Sequence, residues 1–429
     1  MKRLTRRLGR WAGAGMAALA AALALVGSAW AAPVTIRYAF WGNPTALGVE
    51  KDIIDAFEAQ HPDIHVEPVV MPISDYRQGL LTLIAGGQAP DVMRIDSLYL
   101  YEFVQRGALL DVTDLIRRDE IPLERYYQVG LDEVKVNGRY YGLPWGTAPY
   151  YLFVNTQVFK EAGLALPDWG WKWEDFVAAA KRVSGGTGLN RRYGYGMQYL
   201  FPEWLSFVWS NGGDVFDPSG TRFTLNQPAA VQRIQEVADL VKQGVITPPG
   251  QFPNPDAVTR WMVSNRLAMH LSGAGGILQL QEFPDFQFEA MPYPTGVQER
   301  STVVKSNAIS ISATSKNVEA AWTFVKFLRA PGMPGEEMYV RARRVPPSVD
   351  DPNLWRLYAD PTKPPRRIAE VTQAIAQRYG RRMPLRPGWG DIDSLLSPEL
   401  QAVALGEKTA KQALDALAAR AQQILDTSR

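Results

Sequence analysis

The period of apolar and polar positions changes along the chain, and each change marks an element. Val34 to Phe40 alternates β-branched or apolar residues with others and predicts a buried strand. Ala46 to Gln60 repeats Leu47, Val49, Ile53, Ile54, Ala56 and Phe57 at helical spacing, and His61-Pro62-Asp63 ends that helix. Ile64 to Val70 predicts the next strand. Tyr76 to Ile84 is again helical, with Leu80, Leu81, Leu83 and Ile84 apolar. Gly86-Gly87 stops it, because glycine takes the left-handed C-terminal turn without strain. Pro90 enters an extended run, Asp91 to Ile95. Alternation of this kind predicts a mainly parallel sheet with helices on both faces.

Asp96 follows the third strand. In an open α/β sheet ligands sit beyond the carboxyl ends of strands, so a carboxylate there points into a crevice. The same aspartate also suits the N-cap of a helix beginning near Leu98. Spacing leaves both roles open.

The pattern continues with helices at 98–106, 158–162, 173–183, 229–242 and 318–328. Val134 to Leu143 reads as a hairpin with Asn137-Gly138 at its turn. Tyr150 to Asn155 and Val303 to Ser312 read as strands, Arg266 to Gly273 as a short apolar run closed by glycine. Pro346 to Pro365 reads as connectors, and Leu400 to Ile424 as a terminal helical region. No internal repeat or low-complexity segment interrupts this order.

Several stretches together resemble one family. Gly87-Gln88-Ala89-Pro90-Asp91-Val92, with Asp96 four residues on, is similar to the G-x-x-P-D-V-x-x-x-D signature of the extracellular solute-binding proteins of ABC transporters. The closest branch is the sugar-binding type related to maltose-binding protein. The opening strand with Phe40-Trp41-Gly42 resembles the start of family members, as does His61-Pro62-Asp63-Ile64 after the helix ending in Phe57. Leu110-Asp111-Val112-Thr113 resembles a later family segment, and Ser315-Lys316-Asn317 with Ala320 to Leu328 resembles another. The match is best at 34–116, 137–155 and 303–328, and looser over the last hundred residues.

That resemblance implies a type II periplasmic binding protein fold: two α/β lobes joined by hinge strands, with the ligand cleft between them. The expected division is a signal peptide at 1–31, a first lobe at 32–147 and 306–345, and a second at 148–305 and 346–429. Tyr150 to Asn155 would be the first crossing and Val303 to Ser312 the return. The implied function is capture of a mono- to oligosaccharide and delivery to membrane-embedded ABC permease subunits.

Composition narrows this picture. The 429 residues are enough for two sizeable domains. The N-terminus carries Lys2, Arg3, Arg6, Arg7 and Arg10, then an apolar, alanine-rich run from Trp11 to Gly27 and a small-x-small site at Ala29-Trp30-Ala31. This predicts a cleaved export signal rather than a membrane anchor, with the mature start near Ala32. Arg6-Arg7 fits a twin-arginine signal weakly. Without residues 1–31 the chain keeps 41 basic against 44 acidic side chains, which gives no reason to expect nucleic acid as partner. There is no cysteine, hence no disulfide, no thiolate metal site and no lipoprotein acylation site. The expectation is a soluble periplasmic monomer without cofactor or metal.

Catalytic constellations are not legible. His61, His65 and His270 form no H-E-x-x-H motif, the glycines at 273–276 match neither a phosphate loop nor G-x-G-x-x-G, and no G-x-S-x-G occurs. A glycosidase carboxylate pair stays open, as does a binding protein for a glycerol phosphate-type ligand. The latter needs several cations in the cleft, which the sequence does not assemble.

Thirteen tryptophans do stand out. A sugar offers apolar C–H faces to an indole ring and hydroxyl edges to Asp, Asn and Arg. Trp41, Trp145, Trp209 and Trp389 lie at predicted strand ends or near glycine, so they are candidates for stacking, with core packing as the alternative. Trp322 and Trp173, on apolar helix faces, read as core. Asn43 in the turn after the first strand and Asp96 are candidate polar contacts. Asn211, Gly212, Gly213 and Asp214 correspond, by resemblance, to a segment lining the second lobe's wall. Gly273 precedes a helix N-terminus, Ser306 and Asn307 lie at the return crossing, and Arg344 completes the candidate set.

Overall fold

The computed structural model describes residues 33–42, 44–252, 254–291, 293–298, 300–342, 345–384 and 386–427. The expected export signal, Asn43 and Arg344 lie outside them.

Thirteen strands are described: β1 Val34–Trp41, β2 Ile64–Met71, β3 Val92–Ile95, β4 Lys135–Val136, β5 Arg139–Tyr140, β6 Leu143–Pro144, β7 Ala148–Asn155, β8 Tyr193–Gly196, β9 Leu267–Gly273, β10 Phe288–Met291, β11 Thr302–Lys305, β12 Ala308–Ile311 and β13 Gly380–Arg381. They build two larger sheets, one per lobe, and the β4–β5 hairpin. The first sheet runs β2-β1-β3-β12-β6 and the second β13-β11-β7-β9-β8, with β10 also on β7.

The β1–β2 and β1–β3 pairs are parallel, as the βαβ pattern requires. β12 is antiparallel to both β3 and β6, and β7 is antiparallel to β9, β10 and β11. The sheets are therefore mixed rather than mainly parallel. The reason is topological: strands returning from the opposite lobe enter against the local direction.

Sheet membership changes twice within a few residues. β6 closes the first sheet at Pro144 and β7 opens in the second at Ala148; β11 leaves the second at Lys305 and β12 joins the first at Ala308. The run expected as one strand from Val303 to Ser312 is thus two strands, broken at Ser306-Asn307. The breaks lie side by side, since the Trp145 amide donates to the Asn307 carbonyl at 2.7 Å. A Cβ on Gly146 would overlap Val345, so glycine lets a third connection pass against the first.

The family-like stretches have structural work. Asp91 accepts the Arg37 amide at 2.9 Å and the Ser315 hydroxyl. One carboxylate thereby ties β1 to the approach of β3 and to the turn before the helix Val318–Arg329. That helix buries Trp322, Phe324, Val325, Phe327 and Leu328 against Phe57 and the first sheet. Beneath it, Arg94 and Glu50 form a fully buried ion pair, with Tyr38 and Tyr339 hydrogen-bonded to its two members. Both charges are compensated, as burial at this depth demands.

The second lobe is more helical than the pattern foretold. Helices at Phe201–Ser210, Pro255–Val263, Pro352–Tyr358 and Ile368–Ala374 are not separable from apolar or proline-rich runs in the sequence. Most of them carry Pro at the first or second helical position, where the missing N–H costs nothing. The terminal region splits into Trp389–Ala404 and Ala410–Thr427 around Gly406.

Candidate ligand-binding cleft

The breaks at Trp145–Thr147 and Ser306-Asn307 lie between two concave regions. The smaller, of about 340 Å³, sits at the carboxyl ends of β1 and β3 and is lined by Trp41, Tyr76, Arg77, Asp96 and Tyr99 among others. The larger, of about 1080 Å³, runs from the helix Gln128–Glu133 across to the Trp209–Asp217 segment and to Arg378–Arg386.

Asp96 is a helix cap and also lines the smaller cavity. One carboxylate oxygen caps the helix Ser97–Gln105 by accepting the Leu98 amide at 2.9 Å. The other faces the Lys305 ammonium at 3.4 Å, a contact between the end of β3 and the end of β11. Burial opposes charge on Lys305, yet Asp96 and the neighbouring Tyr150 hold its pKa above the ordinary value. Glu133, buried beside this pair, has a pKa raised to about 7 by desolvation, against the lowering effects of the Ser97 hydroxyl and the charges on Lys305 and Arg382. The floor between the two concavities is therefore a compact charged cluster.

Of the four candidate tryptophans, Trp41 alone is half-buried; it lines the smaller cavity, with the Arg94 guanidinium over its ring at 5.3 Å. Its ring meets Tyr76 edge-on, with centroids 4.8 Å apart. The other three differ from the expectation. Trp145 is 7% exposed, lies in the first-lobe core, and is covered by the Arg94 guanidinium at 4.2 Å and the edge of Tyr339. Trp389 is 8% exposed, packed by Phe201 and Phe216. Trp209, 2% exposed, touches the larger cavity, but Arg381 lies over its ring at 4.2 Å and its indole N–H donates to Asp214 at 2.9 Å. A strand end or nearby glycine does not distinguish an open ring from a packed one; neighbours distant in sequence do.

Asn211 is also spoken for: its amide donates to the Ala229 carbonyl at 2.8 Å and its oxygen accepts from Arg233 at 3.0 Å. Gly212, at φ +83°, lines the larger cavity; Gly213 lines it too, and a Cβ there would crowd Val208 and Ala230. Asp214 joins Trp209 to Arg381. Gly273 ends β9 away from both cavities as described, and Gly276 is small because Ser272 and Phe153 pack on it. Ser306 is buried and Asn307 fastens the two crossings through its carbonyl.

Pattern reading missed Tyr99, Lys305 and the arginines at 378, 381, 382 and 386. Lys305 precedes a chosen residue, and Arg378 to Arg386 is a visible basic run; nothing local says that it faces the cleft.

Residues 42–333 match the sequence model of the bacterial extracellular solute-binding protein family. The chain belongs to that family. Its members and structural neighbours are binding proteins of ABC transporters. A putative binding protein of Brucella abortus is 25% identical over 418 residues, covering 96% of this chain and 98% of its own. The sn-glycerol-3-phosphate-binding periplasmic protein of Escherichia coli is 24% identical, over 95% of this chain and 96% of its own. The ABC substrate-binding protein from Listeria monocytogenes solved with cycloalternan superposes with a TM-score of 0.81 at 23% identity, over 92% of this chain and 98% of that one. The sugar-binding protein MalE from Xanthomonas citri gives 0.76 at 20%, over 92% and 98%. At these identities the structural likeness fixes the two-lobe fold. Among the described residues no helix is long and apolar enough to cross a membrane, and no group of three or more His, Asp or Glu could hold a metal ion.

Proposed function

We propose that this solute-binding protein captures a mono- to oligosaccharide between its lobes and presents the closed form to membrane-embedded ABC permease subunits. The observation that carries the reading is the first-lobe cavity, lined by the half-buried Trp41 and by Tyr99 beside the Asp96 carboxylate at the strand ends. Aromatic faces next to a hydrogen-bonding carboxylate match a sugar's alternation of C–H faces and hydroxyl edges. The sugar ligands of the structural neighbours point the same way.

Closure supplies the mechanism. A ligand touching Trp41 and Asp96 on one wall and the Gly212–Asp214 segment on the other makes its full contacts only when the lobes approach, so it shifts the population to the closed state. We assign the lobes as 32–147 with 306–345 and 148–305 with 346–429, turning about Trp145–Thr147 and Ser306-Asn307. The protein acts as a monomer in the periplasm after signal removal at Ala31, unanchored because it has no cysteine to acylate. It binds without turnover and without a cofactor. Asn43 and Arg344 stay in the proposed contact set.

The test is a thermal-shift screen of carbohydrates, amino acids, polyamines and phosphate esters, followed by small-angle scattering with any stabilising compound. A bound ligand raises the melting temperature by mass action. A stabilising sugar that also reduces the radius of gyration, and is recovered unaltered, is the expected result. Stabilisation by amino acids or polyamines alone would overturn the ligand class; an unchanged scattering curve with sugar bound would overturn closure.

A further inference from the structure

Among the described residues, the arginines lining the larger cavity outnumber its carboxylates. Three aspartates line it, and two have other employment. Asp217 accepts the amides of Thr221 and Arg222, both at 2.9 Å, and the Ser219 hydroxyl at 2.7 Å, all from its own loop. Asp132 accepts the Gln128 amide at 2.8 Å; the Arg382 guanidinium reaches the Asp132 peptide carbonyl at 3.3 Å and not the carboxylate. Asp214 alone pairs with a cavity arginine, Arg381.

Arg386 is half-buried in the same wall; its carbonyl accepts the Trp389 amide at 3.0 Å, while among the described residues its guanidinium has no hydrogen-bond or ion-pair partner. Its guanidinium lies against Gly220, at φ +69°, where a Cβ would overlap it. A partly desolvated guanidinium without a counter-charge is unfavourable, and its planar fork is shaped for two oxygens of one anion.

We propose that the larger cavity is a subsite for an anionic substituent on the captured carbohydrate, a carboxylate or a phosphate, held by Arg386 and Arg382. Arg381, fixed on Trp209 by Asp214, forms a stiff edge beside it. Gln298, Gln377 and Ser301 supply neutral donors and acceptors for adjoining hydroxyls. A neutral sugar would leave Arg386 unpaired on closure, so the cavity selects for charge. This inference rests on the carbohydrate reading above and narrows it to acidic saccharides.

The experiment uses matched sets: glucose, glucuronate and glucose 6-phosphate, the equivalent galactose and mannose sets, their short oligomers, and glycerol 3-phosphate. Each is titrated calorimetrically into the mature protein and into Arg386→Gln and Arg382→Gln, all confirmed folded by their melting curves. The expected result is an acidic member binding about ten- to a hundredfold more tightly than its neutral counterpart, the size of a charged hydrogen bond. That ratio should shrink at high salt through screening, and each variant should move it toward one. Preference for uronates over phosphates, or the reverse, identifies the anion. A neutral sugar binding as tightly as its acidic partners, a ratio untouched by both substitutions, or a panel with no acidic binder overturns the subsite. If neutral sugars bind well, the carbohydrate reading survives that failure. If glycerol 3-phosphate binds and no sugar does, the anion subsite stands and the carbohydrate reading falls.

Discussion

The two walls of the cleft are built on opposite principles. The first-lobe wall is an extension of its core: Trp41 rests near the Arg94–Glu50 pair, and Asp96 is both helix cap and partner of Lys305. The second wall is a surface of long side chains, Arg381, Arg382 and Arg386, laid over a helical lobe whose core lies beneath. A wall continuous with a core is preorganised and presents a fixed face. The second wall combines an arginine held by Asp214 with the more loosely held Arg382 and Arg386. In the proposed reading, shape and charge recognition fall on different lobes, and closure would bring them together.

The largest expected effect separates the walls by stability. Arg94→Ala strands a buried Glu50 carboxylate and should cost about 3–5 kcal/mol, whereas Arg381→Ala removes a half-exposed pair and should cost about 1 kcal/mol or less. Urea denaturation of both variants is the measure; similar losses would mean that the second wall is as core-dependent as the first.

Next comes pH, because each lobe holds a buried acid, Glu133 in the first and Glu203 in the second. Burial raises Glu203 to about 8, against the backbone amides of Gln198 and Leu200 that lower it, and raises Glu133 to about 7. The folded chain then holds protons that the unfolded chain releases near the ordinary glutamate value of 4.5. Their contribution is fully present below pH about 4.5 and is lost as pH rises through 7 for Glu133 and 8 for Glu203. Glu203→Gln should flatten the stability profile up to pH 8, by more than about 1 kcal/mol, and Glu133→Gln should flatten it only to pH 7. Melting temperatures from pH 5 to 9 measure this; profiles parallel to wild type would show that neither acid is protonated in the fold.

Smaller effects sharpen the first wall's role in binding. Trp41→Ala removes the half-buried ring and should weaken sugar binding about tenfold or somewhat more, roughly 1.4 kcal/mol or above, while the equivalent change at the buried Trp389 should act on stability first. Paired calorimetry and melting curves decide between these readouts. The smallest effect is at Asp96. Asp96→Asn keeps a good cap but leaves the largely buried Lys305 ammonium without its counter-charge, so stability should fall by about 1 kcal/mol, and affinity measured on the folded variant reports the lost charge. Wild-type affinity in this variant would make Asp96 a cap and hinge contact only.

Much of the first lobe was legible in the sequence. Its strands and helices alternate with clear periods, and Gly86-Gly87, Pro90 and Asn137-Gly138 set the boundaries by local backbone preference alone. The family-like positions were legible by resemblance; the bonds of Asp91 to Arg37 and Ser315 that explain them join segments far apart in the chain. In the second lobe, Pro-initiated helices separated by short connectors offer little periodicity, so residues 346–374 read as connectors.

The site was another matter. The sequence by itself determined the opening strands and helices of the first lobe and that Asp96 ends a strand, since these depend on near neighbours and on the side chain's own conformational preferences. Only the tertiary structure decided which tryptophans are open. Trp145 is closed by Arg94 and Tyr339, Trp389 by Phe201 and Phe216, and Trp209 by Arg381, each partner arriving from another element. It also decided that the basic run at 378–386 faces the cleft beside Asp132 and Asp214. Burial and charge compensation are properties of what packs against a residue, and packing is set by chain segments that the residue's own neighbourhood does not encode.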